Sequence, residues 1–113
     1  MAFKSACIVM APDGDPKKHR ASIQTAKLEL TAVVVEFMNF DQAVAVCKDL
    51  VQQEGVHAIS LCPSFHSEAV ARVAHAVGPR VAISVARGDT PSGMIAGEIL
   101  AKEGWFPEGH ERV

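Results

Sequence analysis

The chain has 113 residues and a formal charge of -2, with acidic and basic side chains interspersed. That length suits one domain able to bury roughly two-thirds of the surface its unfolded form exposes, and the mixed charge offers no basic stripe for a phosphate backbone, which argues against a nucleic-acid partner. The apolar share comes mostly from Ala and Val, with five Phe, one Trp and no Tyr, so the expected core is aliphatic.

The first apolar run, Ala6 to Met10, is rich in strand formers and ends at Pro12, Gly14 and Pro16, which predicts a strand followed by a break. It is too short and too quickly interrupted for a signal peptide, and no later run reaches about 18 apolar residues. The expectation is a cytoplasmic protein with no membrane partner. Asp15 and Pro16 have the form of an N-cap and first helical position, but KKHRASIQ has little apolar periodicity, so a short, poorly covering helix or a loop is expected there.

Residues 28 to 36, LELTAVVVE, read as a second strand, too apolar to face water on one side throughout. Next, Ala43, Val44, Cys47, Leu50 and Val51 fall at helical spacing behind a capping Asp41, with Gly55 as the stop. VHAISLC predicts a third strand, and residues 65 to 77 a helix ended by Gly78 and Pro79. RVAISVA is the fourth strand. Residues 87 to 91 form a loop into a last helix reaching about Lys102, with Thr90 as N-cap and Pro91 first in the helix.

Strands that alternate with helices and are apolar on both faces specify a parallel sheet. The predicted fold is a three-layer α/β domain over residues 1–103, with a four-stranded, mostly parallel sheet in the flavodoxin-like order 2-1-3-4. A weak first helix would undercover one sheet face, and a second subunit is the simplest cover, so a homodimer or higher homo-oligomer is expected. Residues 104–113 form a tail carrying Trp105, Phe106 and Pro107, whose aromatic side chains predict docking on a neighbouring subunit.

In an open parallel sheet, ligands bind beyond the carboxyl ends of the strands where their order reverses. That rule gathers Asp13, Cys62, Ser64, His66 and Arg87 as candidate ligand-binding residues, with Glu36, Gly88 and Asp89 flanking. Cys62 at a strand end could be activated by the helix that follows and by His66, which makes the pair candidates for catalysis; a small apolar residue closing a buried strand is the simpler explanation. Ser64 and Ser67 read as helix caps. The free amides of residues 64 to 66 would suit a carboxylate or phosphate, with Arg87 as a bidentate partner unless it pairs with Asp89. Asp13 fits turn formation, and His19 and Arg20 fit a solvated face. Three cysteines without CxxC spacing and five histidines without HxxxH spacing give no metal site, and no motif specifies a cofactor.

The succession "VMAPDGDPKKHRA", "LELTAVVV", "EGVHAISLCPSFHSEAVARVAHAVG" and "RVAISVARGD" resembles a bacterial family of small α/β domains of unassigned function. The resemblance covers residues 3 to about 90 and implies a fold and self-association, but no reaction. Glycines are expected after the Leu-Cys pair in such relatives, whereas Pro63 and Ser64 stand here. Three functions follow from the sequence: a homo-oligomeric domain binding a small anionic metabolite at the strand ends, an isomerase or lyase with Cys62 as nucleophile, or a structural or interaction module. The first is favoured, because every polar residue in the predicted crevice has a structural explanation.

Overall fold

The computed structural model describes residues 1–106. Strands β1 (Phe3–Ala11), β2 (Arg20–Gln24), β3 (Leu28–Glu36), β4 (Ala58–Leu61) and β5 (Ala82–Val85) form one sheet in the order β2-β3-β1-β4-β5. Helices α1 (Phe40–Glu54), α2 (Ser67–Val77) and α3 (Thr90–Lys102) follow β3, β4 and β5. The β1–β3, β1–β4 and β4–β5 pairs are parallel and β2–β3 is antiparallel. The sheet therefore has five strands and is mixed. The expected four strands lie parallel in the order β3-β1-β4-β5, but the sheet is not the four-stranded one expected, because the segment after β1 adds an antiparallel edge strand.

That substitution has a local cause. Residues 15 to 19 make a single turn, in which the amides of Lys18 and His19 both donate to the Asp15 carbonyl, and the Asp15 carboxylate accepts from the Lys17 amide at 3.0 Å. The turn does not propagate, since RASIQ has no apolar stripe to bury as a helix. It pairs instead along the free edge of β3, where Ser22 and Thr31 bring their hydroxyls within 2.8 Å.

To reach that edge, the chain crosses the carboxyl end of β3. Gly14 lies against it so closely that an added Cβ would sit 2.3 Å from the Val35 carbonyl oxygen and 2.7 Å from its carbon. The His19 carbonyl then accepts from the Val34 amide, which starts the β2–β3 ladder.

The core occupies one side of the sheet. Ala6, Ile8 and Met10 of β1, Val33 and Val35 of β3, and Ile59 and Leu61 of β4 are buried there against Ala43, Cys47 and Leu50 of α1 and Ala69 and Val73 of α2. Fully buried Phe65 joins them and meets Phe40 edge to face, with ring centroids 5.8 Å apart. Among the described residues, no helix lies over the side chains of opposite parity on β1, β2 and β3: Phe3, Ile23, Leu28 and Leu30 are all exposed. The predicted three layers are thus two, a sheet with α1 and α2 packed on one face.

Gly55 ends α1 in the left-handed conformation, φ 70°, as its position predicted. The caps differ from those expected. Asn39, Asp89 and His66 accept from the first-turn amides of α1, α3 and α2, in place of Asp41, Thr90 and Ser64. Asp41 is instead in the first turn of α1 and forms an ion pair with Arg72 of α2.

Arg20, on the core side of β2, forks onto the Glu54 carboxylate at the end of α1, with one contact at 2.9 Å. The hydrogen bond and charge of Arg20 hold the Glu54 carboxyl below its ordinary value of 4.5. The stabilisation is therefore present above that value and is lost as pH falls through the lowered one. Both side chains are 39% exposed, so solvent screening limits the pair to about 1 kcal/mol or less.

Two measurements test these features. Gly14→Ala should lower the urea-unfolding free energy by about 1–3 kcal/mol, because backbone cannot yield to the new methyl as a side-chain tip would. Glu54→Gln should be less stable than the native chain by about 0.5–1 kcal/mol near neutral pH, and that gap should close as the pH is taken below about 4.

Candidate functional site

Beyond the carboxyl ends of β4 and β5, α3 borders an open cavity of about 570 Å³, within the roughly 300–1,000 Å³ of small-molecule sites. Its floor is the β4–α2 turn at Pro63 and Ser64, with Phe37 just after β3. Its wall is the loop Arg87, Gly88 and Asp89, and its roof is Ser92, Gly93, Ala96, Gly97 and Leu100 of α3.

The floor is held by Arg87. Its guanidinium donates to the Phe65 carbonyl at 2.8 Å and to the Pro63 carbonyl at 3.2 Å, tying the loop after β5 to the turn after β4. Among the described residues, no ion pair joins Arg87 to a carboxylate. Asp89, its expected surface partner, is used as the cap of α3 and accepts from the Ser92 amide at 2.8 Å. Hydrogen bonds from the Ser92 side chain and backbone hold its carboxyl below the usual range.

The roof is shaped by absence of side chain. Gly93 and Gly97, one turn apart, both face open space, since an added Cβ at either would meet no heavy atom within 4 Å. Beyond α3, Trp105 packs edge-on against Phe37 at 5.6 Å and Phe106 lies at 6.3 Å from the same ring. These two aromatic residues thus find a partner within their own chain, while Pro107, included in the predicted docking segment, lies outside the described residues.

Of the residues singled out from the sequence, Ser64 and Arg87 line the cavity; Asp13, Cys62 and His66 do not. Asp13 is exposed in the turn closed by the Gly14 amide on the Ala11 carbonyl. Cys62 is half-buried and packs on the core side, its amide donating to the Ile8 carbonyl. Cys47, inside the core, has its thiol pushed up to about 12 by burial.

His66 is a structural cap. Its Nδ1 accepts from the Ala69 amide at 3.1 Å and its ring lies 4.7 Å from that of Phe40. Nδ1 is thereby committed as an acceptor and the neutral ring carries its proton on Nε2. His19 is similarly used, its Nδ1 accepting from the Asp15 amide at 3.0 Å. Glu36, a predicted flanking residue, accepts from the Asn39 side chain. Among the described residues, no group of three or more His, Cys, Asp or Glu side chains is placed to hold a metal ion.

Sequence reasoning passed over the roof. Gly93 and Gly97 were the available signal: two glycines one turn apart inside a helix cost stability, which points to space being kept on that face.

Fold and cavity together define a two-layer α/β domain with an open cavity of small-molecule size beside its last helix. Residues 3–100 match the family model DUF6506, a family of unknown function, and the chain belongs to that family. No curated protein and no solved structure matches the chain.

The cap assignment predicts that His66→Ala lowers stability by about 1 kcal/mol, whereas His66→Asn, which keeps an acceptor at the cap, restores most of it. Thermal unfolding of the three proteins at one pH checks this.

Proposed function

We propose that this protein is a homo-oligomeric binding domain whose ligand, a small molecule with an apolar body and an anionic head, occupies the cavity beneath α3. The observation that carries this reading is Arg87, a permanent cation on a lining that is otherwise largely apolar, where the Asp89 carboxylate is bound to the Ser92 amide and no carboxylate is paired to Arg87 among the described residues. Two of its five N–H donors serve the Pro63 and Phe65 carbonyls and fix the side chain in place. The fixed guanidinium supplies charge to an anionic head without the entropic cost of immobilising a free arginine. Ser64 and Ser92 add hydroxyls on the same lining.

Catalysis through Cys62 has less support. Its side chain is not on the cavity lining, and the Nδ1 of His66 is occupied by the α2 cap. A purely structural role leaves the glycine-lined chamber unexplained, because alanine at Gly93 and Gly97 would strengthen the helix by about 1 kcal/mol each.

Phenyl phosphate, an aromatic ring bearing a compact anion, is a suitable probe. Titration followed by amide NMR should shift Ser64, Gly88, Gly93 and Gly97 together. Gly97→Leu should abolish those shifts while preserving the fold, and Arg87→Gln should weaken binding by about tenfold or more, the scale of a charge-assisted hydrogen bond. Binding that is indifferent to Gly97→Leu, or no shift with millimolar probe, would refute the assignment.

A further inference from the structure

The sheet face away from α1 and α2 carries a relief of its own. Pairing registers place Ile23, Leu30, Ser5, Ala58 and Ala82 in one row across the five strands. Ala21, Ala32, Cys7, Ser60 and Ser84 form the next row. Phe3 and Leu28 are paired beyond the first.

Large side chains therefore collect at one corner, where Phe3 is 51%, Ile23 67%, Leu28 39% and Leu30 36% exposed. In the two rows across β1, β4 and β5 the same face carries only the small side chains of Ser5, Cys7, Ala58, Ser60, Ala82 and Ser84, a shallow trough with Val9 of β1 beyond it. Neither row carries a charged side chain. The charged side chains of Lys4, Arg20 and Glu29 lie at the opposite parity, and Glu36, which shares the parity of Leu30, stands at the far end of β3, beyond both rows.

We infer that this face is the dimer interface, with two copies packed sheet to sheet about a twofold axis so that the bulky corner of each fills the trough of the other. The inference rests on the homo-oligomeric reading above and specifies its surface. A twofold interface must be complementary to itself, and a face bearing both a ridge and a matching hollow meets that condition, whereas a uniformly bulky or uniformly flat one would not interdigitate.

The size also fits. At about 3.3 Å of rise per residue and about 4.8 Å between strands, the five strands span a flat footprint of about 500 Å². Side-chain relief adds to this, so two copies bury about 1,000 Å² or more, the threshold for a specific interface. Sheets pack about 10 Å apart, a spacing that the Ser and Ala trough allows the Leu and Phe side chains to fill.

Sedimentation velocity on the full chain tests the arrangement through a charge exchange. The native protein should sediment as a dimer at micromolar concentration. Leu30→Lys and Ser60→Glu should each be monomeric, and an equimolar mixture of the two should recover a dimer at least about tenfold tighter than either variant with itself, because the new lysine then faces the new glutamate across the interface.

Cys7, in the trough, provides a second readout that needs no substitution. Its iodoacetamide labelling, followed by mass spectrometry, should quicken on dilution of the native protein while that of Cys62 stays constant. A native monomer would overturn both this inference and the homo-oligomeric reading. A dimer that survives both single substitutions, labels Cys7 at an undiminished rate and dissociates on Ile95→Glu in α3 would overturn the face assignment alone. Loss of the dimer in each variant without recovery in the mixture would overturn the ridge-in-trough arrangement.

Discussion

Gly14 against the Val35 carbonyl is the contact on which the rest of the architecture depends. The chain leaving β1 must pass over the end of β3 to reach the sheet edge, and with an added Cβ 2.3 Å from that oxygen only glycine passes there without displacing backbone. Once it has crossed, residues 20 to 24 are delivered to the free edge of β3 and pair with it. The same segment cannot also be a crossover helix. Among the described residues, one face of the sheet consequently has no helical layer, and its aliphatic side chains are exposed.

Two other features of the fold follow from how few helices remain. α1 and α2 are both committed to the core face, joined through Asp41 and Arg72 and through the buried Phe65. α3 is left to lie over the strand ends with no fully buried residue. It stays in place through Trp105 and Phe106 on Phe37, and through Asp89, which caps its first turn. Arg87 links this roof to its floor by holding two carbonyls of the β4–α2 turn. The cavity stays open because α3 turns glycine, alanine and serine toward it instead of large side chains.

α3 is apolar around most of its circumference: Met94, Ile95 and Ile99 are exposed on the side away from the cavity. A helix apolar on all sides is ordinarily buried on all sides. Together with the bare sheet face, this gives the isolated chain more exposed aliphatic surface than its core alone requires, and it is the physical basis for reading the domain as part of an assembly.

The sequence by itself determined what depends on neighbours along the chain. The apolar runs of β1, β3, β4 and β5, the 3.6-residue stripes of α1 and α2, and the Gly55 stop were legible because period and breaker chemistry are local properties. Even the caps were displaced by only one or two positions, since several residues able to accept a hydrogen bond crowd each helix start. Tertiary structure alone decided that RASIQ is a strand, because its partner is the edge of β3 and not anything within itself. It also decided which polar residues line one cavity: Ser64 and Arg87 both do so beside α3, whereas Asp13, Cys62 and His66 are drawn off to a turn, the core side and a cap. Side-chain type announces what a residue can bond to, but the nearest available partner settles which bond is made, and that distance exists only once the chain has folded.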